Sequence, residues 1–220
     1  MTRQAGSSPW LITFGAGLAA LVVSASVALA ATPVYEFVTR LLGVSEGIWA
    51  GVLFSGFLLL LGLVVAVWRP REVGFQVGSA VTKLRTTIAV TVALASALAL
   101  ALSLMPPTPY SESDWIFEVV AVPISEELFF RGAVLAGLVW MLGKAHSRMR
   151  ATRLAFVFGG IAFGVAHLSN LTIAPGSFVI PQAIFAVLLG TVAGYLRTTT
   201  DSIFPAIFLH AVVNGVVILF

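Results

Sequence analysis

The sequence predicts an all-α protein, a polytopic transmembrane helical bundle of about seven membrane-spanning helices. Three observations carry this. Of the 220 residues, 59% are hydrophobic and only 10% are charged, whereas soluble domains carry about 25% charge. The mean hydropathy is +1.05. The apolar residues also fall in runs long enough to cross about 30 Å of hydrocarbon, separated by short polar or basic segments. One integral membrane domain over residues 1–220 is expected.

Residues 10–31 form the first predicted span. Ala28-Leu29-Ala30 resembles a signal-peptidase site. The apolar core is longer than a signal peptide's, which favours a retained anchor. Residues 32–47, with Glu36, Arg40 and Glu46, read as a loop or interfacial segment. Residues 48–68 are the second span, and a basic loop with Arg69, Arg71, Lys83 and Arg85 follows. The third span, 86–105, is stopped by Pro106-Pro107-Thr108-Pro109. An acidic stretch, 111–114, leads into the fourth span, 115–142. A second basic segment holds Lys144, His146, Arg148, Arg150 and Arg153, with His146 expected in solvent. The fifth span, 154–170, contains Gly160-x-x-x-Gly164, and the sixth, 178–196, contains Gly190-x-x-x-Gly194; both are close-packing signals. A tight turn over 197–201 precedes the last span, 202–220.

Charge orients the bundle. Of the 12 Lys and Arg residues, only Arg40 and Arg131 fall outside the N-terminus and the even-numbered connections. The positive-inside rule therefore puts the N-terminus in the cytoplasm. The net charge of +3 is no nucleic-acid footprint, because the cations lie between apolar spans. The absence of cysteine excludes disulfides, thiolate metal sites and a cysteine nucleophile. The expected partners are the lipid bilayer and a membrane-associated substrate, with no nucleic acid.

Ionised groups at bilayer depth cost at least about 2.5–3.5 kcal/mol each, so those inside spans need a reason. They are Glu126, Glu127 and Arg131 on the fourth span, His167 on the fifth, and His210 with Asn214 on the seventh. Glu127 and Arg131 are spaced to pair on one helix face. Glu126 points about 100° away and is left for a wet cavity. Phe163 and His167 share a face, as do His210 and Asn214. Ser125, beside Pro123, is expected to bond the backbone rather than act as a nucleophile. One shared cavity is the cheapest home for polar groups from three helices. A carboxylate and a histidine can activate water, and a histidine and an amide can bind an oxyanion. That set suffices to hydrolyse a peptide bond by direct water attack.

Glu126-Glu127-x-x-x-Arg131, Phe163-x-x-x-His167 and His210-x-x-x-Asn214 resemble the three motifs of the CPBP intramembrane proteases, the type II CAAX-prenyl endopeptidase and bacteriocin-processing (Abi) family. The resemblance covers about residues 115–220, the expected catalytic core. It implies an intramembrane endopeptidase acting on a membrane-associated or lipidated protein or peptide, in a bacterial or archaeal cell membrane. Glu126 and His167 would activate water, His210 and Asn214 would hold the oxyanion, and Glu127, Arg131 and Phe163 would support them. A zinc ion, if used, would take Glu126, His167 and His210, although no His-Glu-x-x-His is present. The alternatives are a non-catalytic immunity or scaffold protein of the same fold, and a proton or small-solute carrier.

Overall fold

The computed structural model describes residues 8–42, 48–76, 81, 83–103, 115–172 and 174–219. Among these every regular element is helical. They are α1 (Pro9–Leu42), α2 (Ile48–Trp68), α3 (Pro70–Val73) and α4 (Leu84–Leu102). The fourth predicted span is composite: a π-helical Phe117–Ala121, α5 (Val122–Glu127), a π-helical Leu128–Val134 and α6 (Leu135–Leu142). Then come α7 (Arg148–His167), a 3₁₀ turn Leu168–Thr172, α8 (Gly176–Thr200) and α9 (Phe204–Leu219). Among the described residues, five helices are long and apolar enough by themselves to cross a membrane. The composite segment and the 16-residue α9 account for the difference from the count of about seven read from hydropathy.

Three boundaries differ from expectation. The loop or interfacial segment expected at 32–47 is helical as far as Leu42, the end of α1, where Arg40 and Glu36 pair at 3.1 Å one turn apart. The cations at 148–153 form the first turns of α7 rather than a loop. The turn expected at 197–201 shrinks to Asp201, the one described non-glycine residue with positive φ (51°). The proline stop at 106–109 and the acidic stretch at 111–114 lie outside the described residues.

The chain divides into two compact units. The first comprises Met1–Thr32 and Val134–Tyr195. Its core is a small-residue face: Ala16 and Ala20 of α1 and Ala151, Ala155 and Ala162 of α7 pack with Leu135, Leu138 and Leu142 of α6. Alanine lets helix backbones approach closely, which in lipid replaces the missing hydrophobic drive. The glycine pair of the fifth span goes further. A Cβ on Gly160 would sit 2.9 Å from the Val187 carbonyl oxygen of α8, and one on Gly164 2.7 Å from that of Ala183. α1 and α7 run in the same direction: Thr13 meets His146, just before α7, and Gly17 packs on Phe158 further along.

The second unit comprises Pro33–Ala133 and Leu196–Phe220. Val73, Ala66, Leu128 and Ile203 form its buried cluster. Arg197, expected in a turn, is buried on the last turn of α8. Its Nε donates to the Val73 carbonyl at 3.0 Å and its Nη2 to that of Glu72. These are carbonyls that the end of α3 leaves without helical partners. Gly74 ends α3 at φ 93° and accepts from the Ile203 amide at 3.0 Å. Only a residue without Cβ fits there, because the guanidinium passes directly over it.

Candidate active site

The site is built on α5, a six-residue helix between two π-helical stretches. Pro123 explains the first stretch. It has no amide proton, and its ring crowds the carbonyl four residues back. The Val122 amide therefore bonds the Phe117 carbonyl, five residues away. In that wide register the Glu118 carbonyl would look to residue 123, which is the proline. Asn214 of α9 supplies the donor instead, its Nδ2 lying 2.8 Å from the Glu118 oxygen. No proline accounts for the second stretch, which begins directly after Glu127. Wide turns of this kind recur at functional sites.

At the end of α5, Glu127 is fully buried and Arg131 nearly so, with 0% and 2% of their side chains exposed. They pair at 3.0 Å, as their spacing predicted. The Arg131 guanidinium also lies 5.9 Å from the Phe130 ring centroid. Glu127 does more than balance Arg131. Its Oε1 is 2.9 Å from His210 Nδ1 on α9. An ionised carboxylate only accepts, so Nδ1 carries the proton. His210 Nε2 is then the nitrogen turned toward Glu126, 3.9 Å from its Oε2.

Glu126 is more exposed than its neighbours, 14% against 3% for His210. Its Oε2 is buried and has no hydrogen-bond partner among the described residues. The gap of 3.9 Å to His210 is too wide for a direct hydrogen bond. Ser125, as expected, spends its hydroxyl on the Val122 carbonyl at 2.9 Å.

His167 and Phe163 belong to the first unit. His167 Nδ1 lies 2.9 Å from the Phe163 carbonyl oxygen, and the two rings meet edge to face at 4.5 Å. A carbonyl only accepts, so Nδ1 is protonated and the lone pair of the neutral ring sits on Nε2. The structure thus brings Glu126, Glu127, Arg131, His210 and Asn214 together in one unit and orients His167 within the other.

Of the zinc ligands implied by the resemblance, Glu126 and His210 are the two in this group. A catalytic zinc takes three protein ligands. Among the described residues no group of three or more His, Asp or Glu side chains could hold a metal ion. Within their unit Glu126 and His210 supply two of those three ligands, and His167 belongs to the other unit.

Besides the Glu127–His210 and Arg197 bonds, two further contacts escaped the sequence reading. The tie from Asn214 to Glu118 was foreshadowed only by a proline five residues after Glu118. His146, expected in solvent, is part-buried and 2.6 Å from Thr13; its spacing of 133 residues from Thr13 leaves no sequence signal.

Against this geometry, residues 108–216 match the family model of the Rce1-like type II CAAX prenyl endopeptidases. The chain belongs to this family. The match contains Glu126, Glu127, Arg131, Phe163, His167, His210 and Asn214. No curated protein and no solved structure matches the chain. The Rce1-like family is one of CAAX-type intramembrane endopeptidases, and with its apolar helices the chain is an integral membrane protein.

Proposed function

We propose that this chain hydrolyses a peptide bond in a membrane-associated, lipidated protein or peptide, with Glu126 as general base. The observation that carries the proposal is the Glu126 carboxylate facing His210 Nε2 across 3.9 Å, with one oxygen that has no hydrogen-bond partner among the described residues. A water between them gives its proton to Glu126 as its oxygen attacks the scissile carbonyl carbon. The carbonyl oxygen becomes an oxyanion. His210, when its ring carries both protons, donates to that oxygen from Nε2, and Glu127 steadies the imidazolium from the other side. The second amide hydrogen of Asn214 is available to the same oxygen, the first being held by Glu118. Glu126 then passes its proton to the departing amine nitrogen as the C–N bond breaks. On the family resemblance, His167 shares the activation of water with Glu126. A family of CAAX-type enzymes favours a prenylated substrate, and the charge bias of the loops favours a cytoplasmic N-terminus.

The test is Glu126→Gln in the purified protein, assayed on a membrane-bound farnesylated CAAX reporter with unmodified reporter alongside. The variant keeps size and shape and loses the base, so cleavage should fall about 10²–10⁴-fold at an unchanged melting temperature. Retained cleavage would sink the mechanism. Absence of turnover in the wild type, with a lowered melting temperature in the variant, would favour the non-catalytic scaffold reading.

A further inference from the structure

The first unit carries a second feature, remote in sequence from the family motifs. A groove of about 760 Å³ runs along the start of α1 beside the segment leading into α7. Its apolar wall includes Phe14 and Leu18, which are 65% and 51% exposed. Its polar end holds Thr13, His146 and Arg150, and among the described residues no carboxylate lines it.

The hydrogen bonding at that end is determinate. Thr13 Oγ1 donates its only proton to the Pro9 carbonyl at 2.9 Å. It must then accept from His146 Nε2 at 2.6 Å. Nε2 is committed to Thr13, which fixes the imidazole beside the Arg150 guanidinium at the groove's polar end.

Depth comes from the aromatic residues. Trp10 lines the same end, and Trp140, just ahead of this segment, carries Lys144 with its Nζ 3.5 Å from the ring centroid. Exposed tryptophans with cations mark the headgroup level of a bilayer. An arginine at headgroup depth above an apolar trough between helices is complementary to a phosphate with an acyl chain beneath it.

We propose that this groove binds one anionic phospholipid, its phosphate at Arg150 and an acyl chain along Phe14 and Leu18. Charge complementarity selects the occupant: the polar end offers the Arg150 guanidinium with no acid among the described lining residues, and the wall faces lipid.

The full chain, purified in mild detergent, is titrated with phosphatidylglycerol or phosphatidylcholine, and bound lipid is read by native mass spectrometry. Wild type should hold phosphatidylglycerol roughly tenfold more tightly than phosphatidylcholine. Arg150→Gln should bring the two lipids to about parity. Leu18→Trp, which fills the trough, should lower retention of both, and it keeps the test open if Arg150→Gln folds poorly. An absent preference in wild type, or one unchanged in Arg150→Gln, overturns the proposal. So does glycerol phosphate binding as tightly as the lipid, which would indicate a free-phosphate site. Displacement of phosphatidylglycerol by a farnesylated peptide would overturn it in favour of substrate.

Discussion

His210 Nδ1 lies 2.9 Å from Glu127 Oε1, while its Nε2 faces Glu126. The two adjacent glutamates thus address opposite nitrogens of one imidazole. One carboxylate sets the tautomer and the other shares the open side of the ring. Adjacent residues on a helix diverge by about 100°, and a ring placed between them from another helix can reach both.

Glu127→Gln tests the orienting role. The amide keeps the shape but can present an N–H to His210 and loses the charge that supports an imidazolium. Such supporting partners typically cost about 10–100-fold in activity. The expected result is a fall of that size in kcat with KM little changed, measured on the same membrane-bound reporter.

Arg131→Met tests the buried pair. It leaves Glu127 as an uncompensated buried charge beside His210, a change that typically costs about 3–5 kcal/mol. Denaturation in mixed micelles should show that loss. Replacing Glu127 and Arg131 together with Leu should recover much of the stability but not the activity, because the anchor for His210 is gone.

Asn214→Leu removes the donor to the Glu118 carbonyl. Losing this 2.8 Å bond is expected to cost about 1–3 kcal/mol. Pro123→Ala in the same background supplies an amide proton at position 123 and should restore part of the loss. Thermal melts of the single and double variants check this; simple additivity would contradict the register argument.

Gly160→Val tests the packing of α7 on α8. A Cβ there meets the Val187 carbonyl and the Thr191 side chain, and backbone cannot yield as a flexible side chain can. Overpacking of this kind costs about 1–3 kcal/mol or more. Gly137→Ala, where a Cβ meets nothing within 4 Å, is the matched control and should be neutral or slightly stabilising.

Much of the fold was legible because hydropathy reports the bilayer directly. A span must be apolar over its length, and a loop must be polar, wherever the helices later pack. The intramembrane Glu126, Glu127, Arg131, His167, His210 and Asn214 stood out for the same reason, since polar groups there are costly enough to be rare. The Glu127–Arg131 pair was readable from spacing alone. Helix ends were less so: α1 passes Pro33 and runs to Leu42, and α7 takes in Arg148 and Arg150, because charged residues at a membrane surface are compatible with either helix or loop.

The sequence by itself determined that this is a helical membrane protein, which side chains inside its spans demand partners, and that one glutamate of the pair was committed to an arginine. Only the tertiary structure decided that Glu127 also holds His210, that Asn214 is tied to the Glu118 carbonyl, that Arg197 caps α3, and that His146 meets Thr13. The physical reason is distance along the chain. Periodicity and insertion cost act within a single helix, whereas these hydrogen bonds join residues 83 to 133 positions apart, and their partners exist only once helices have packed.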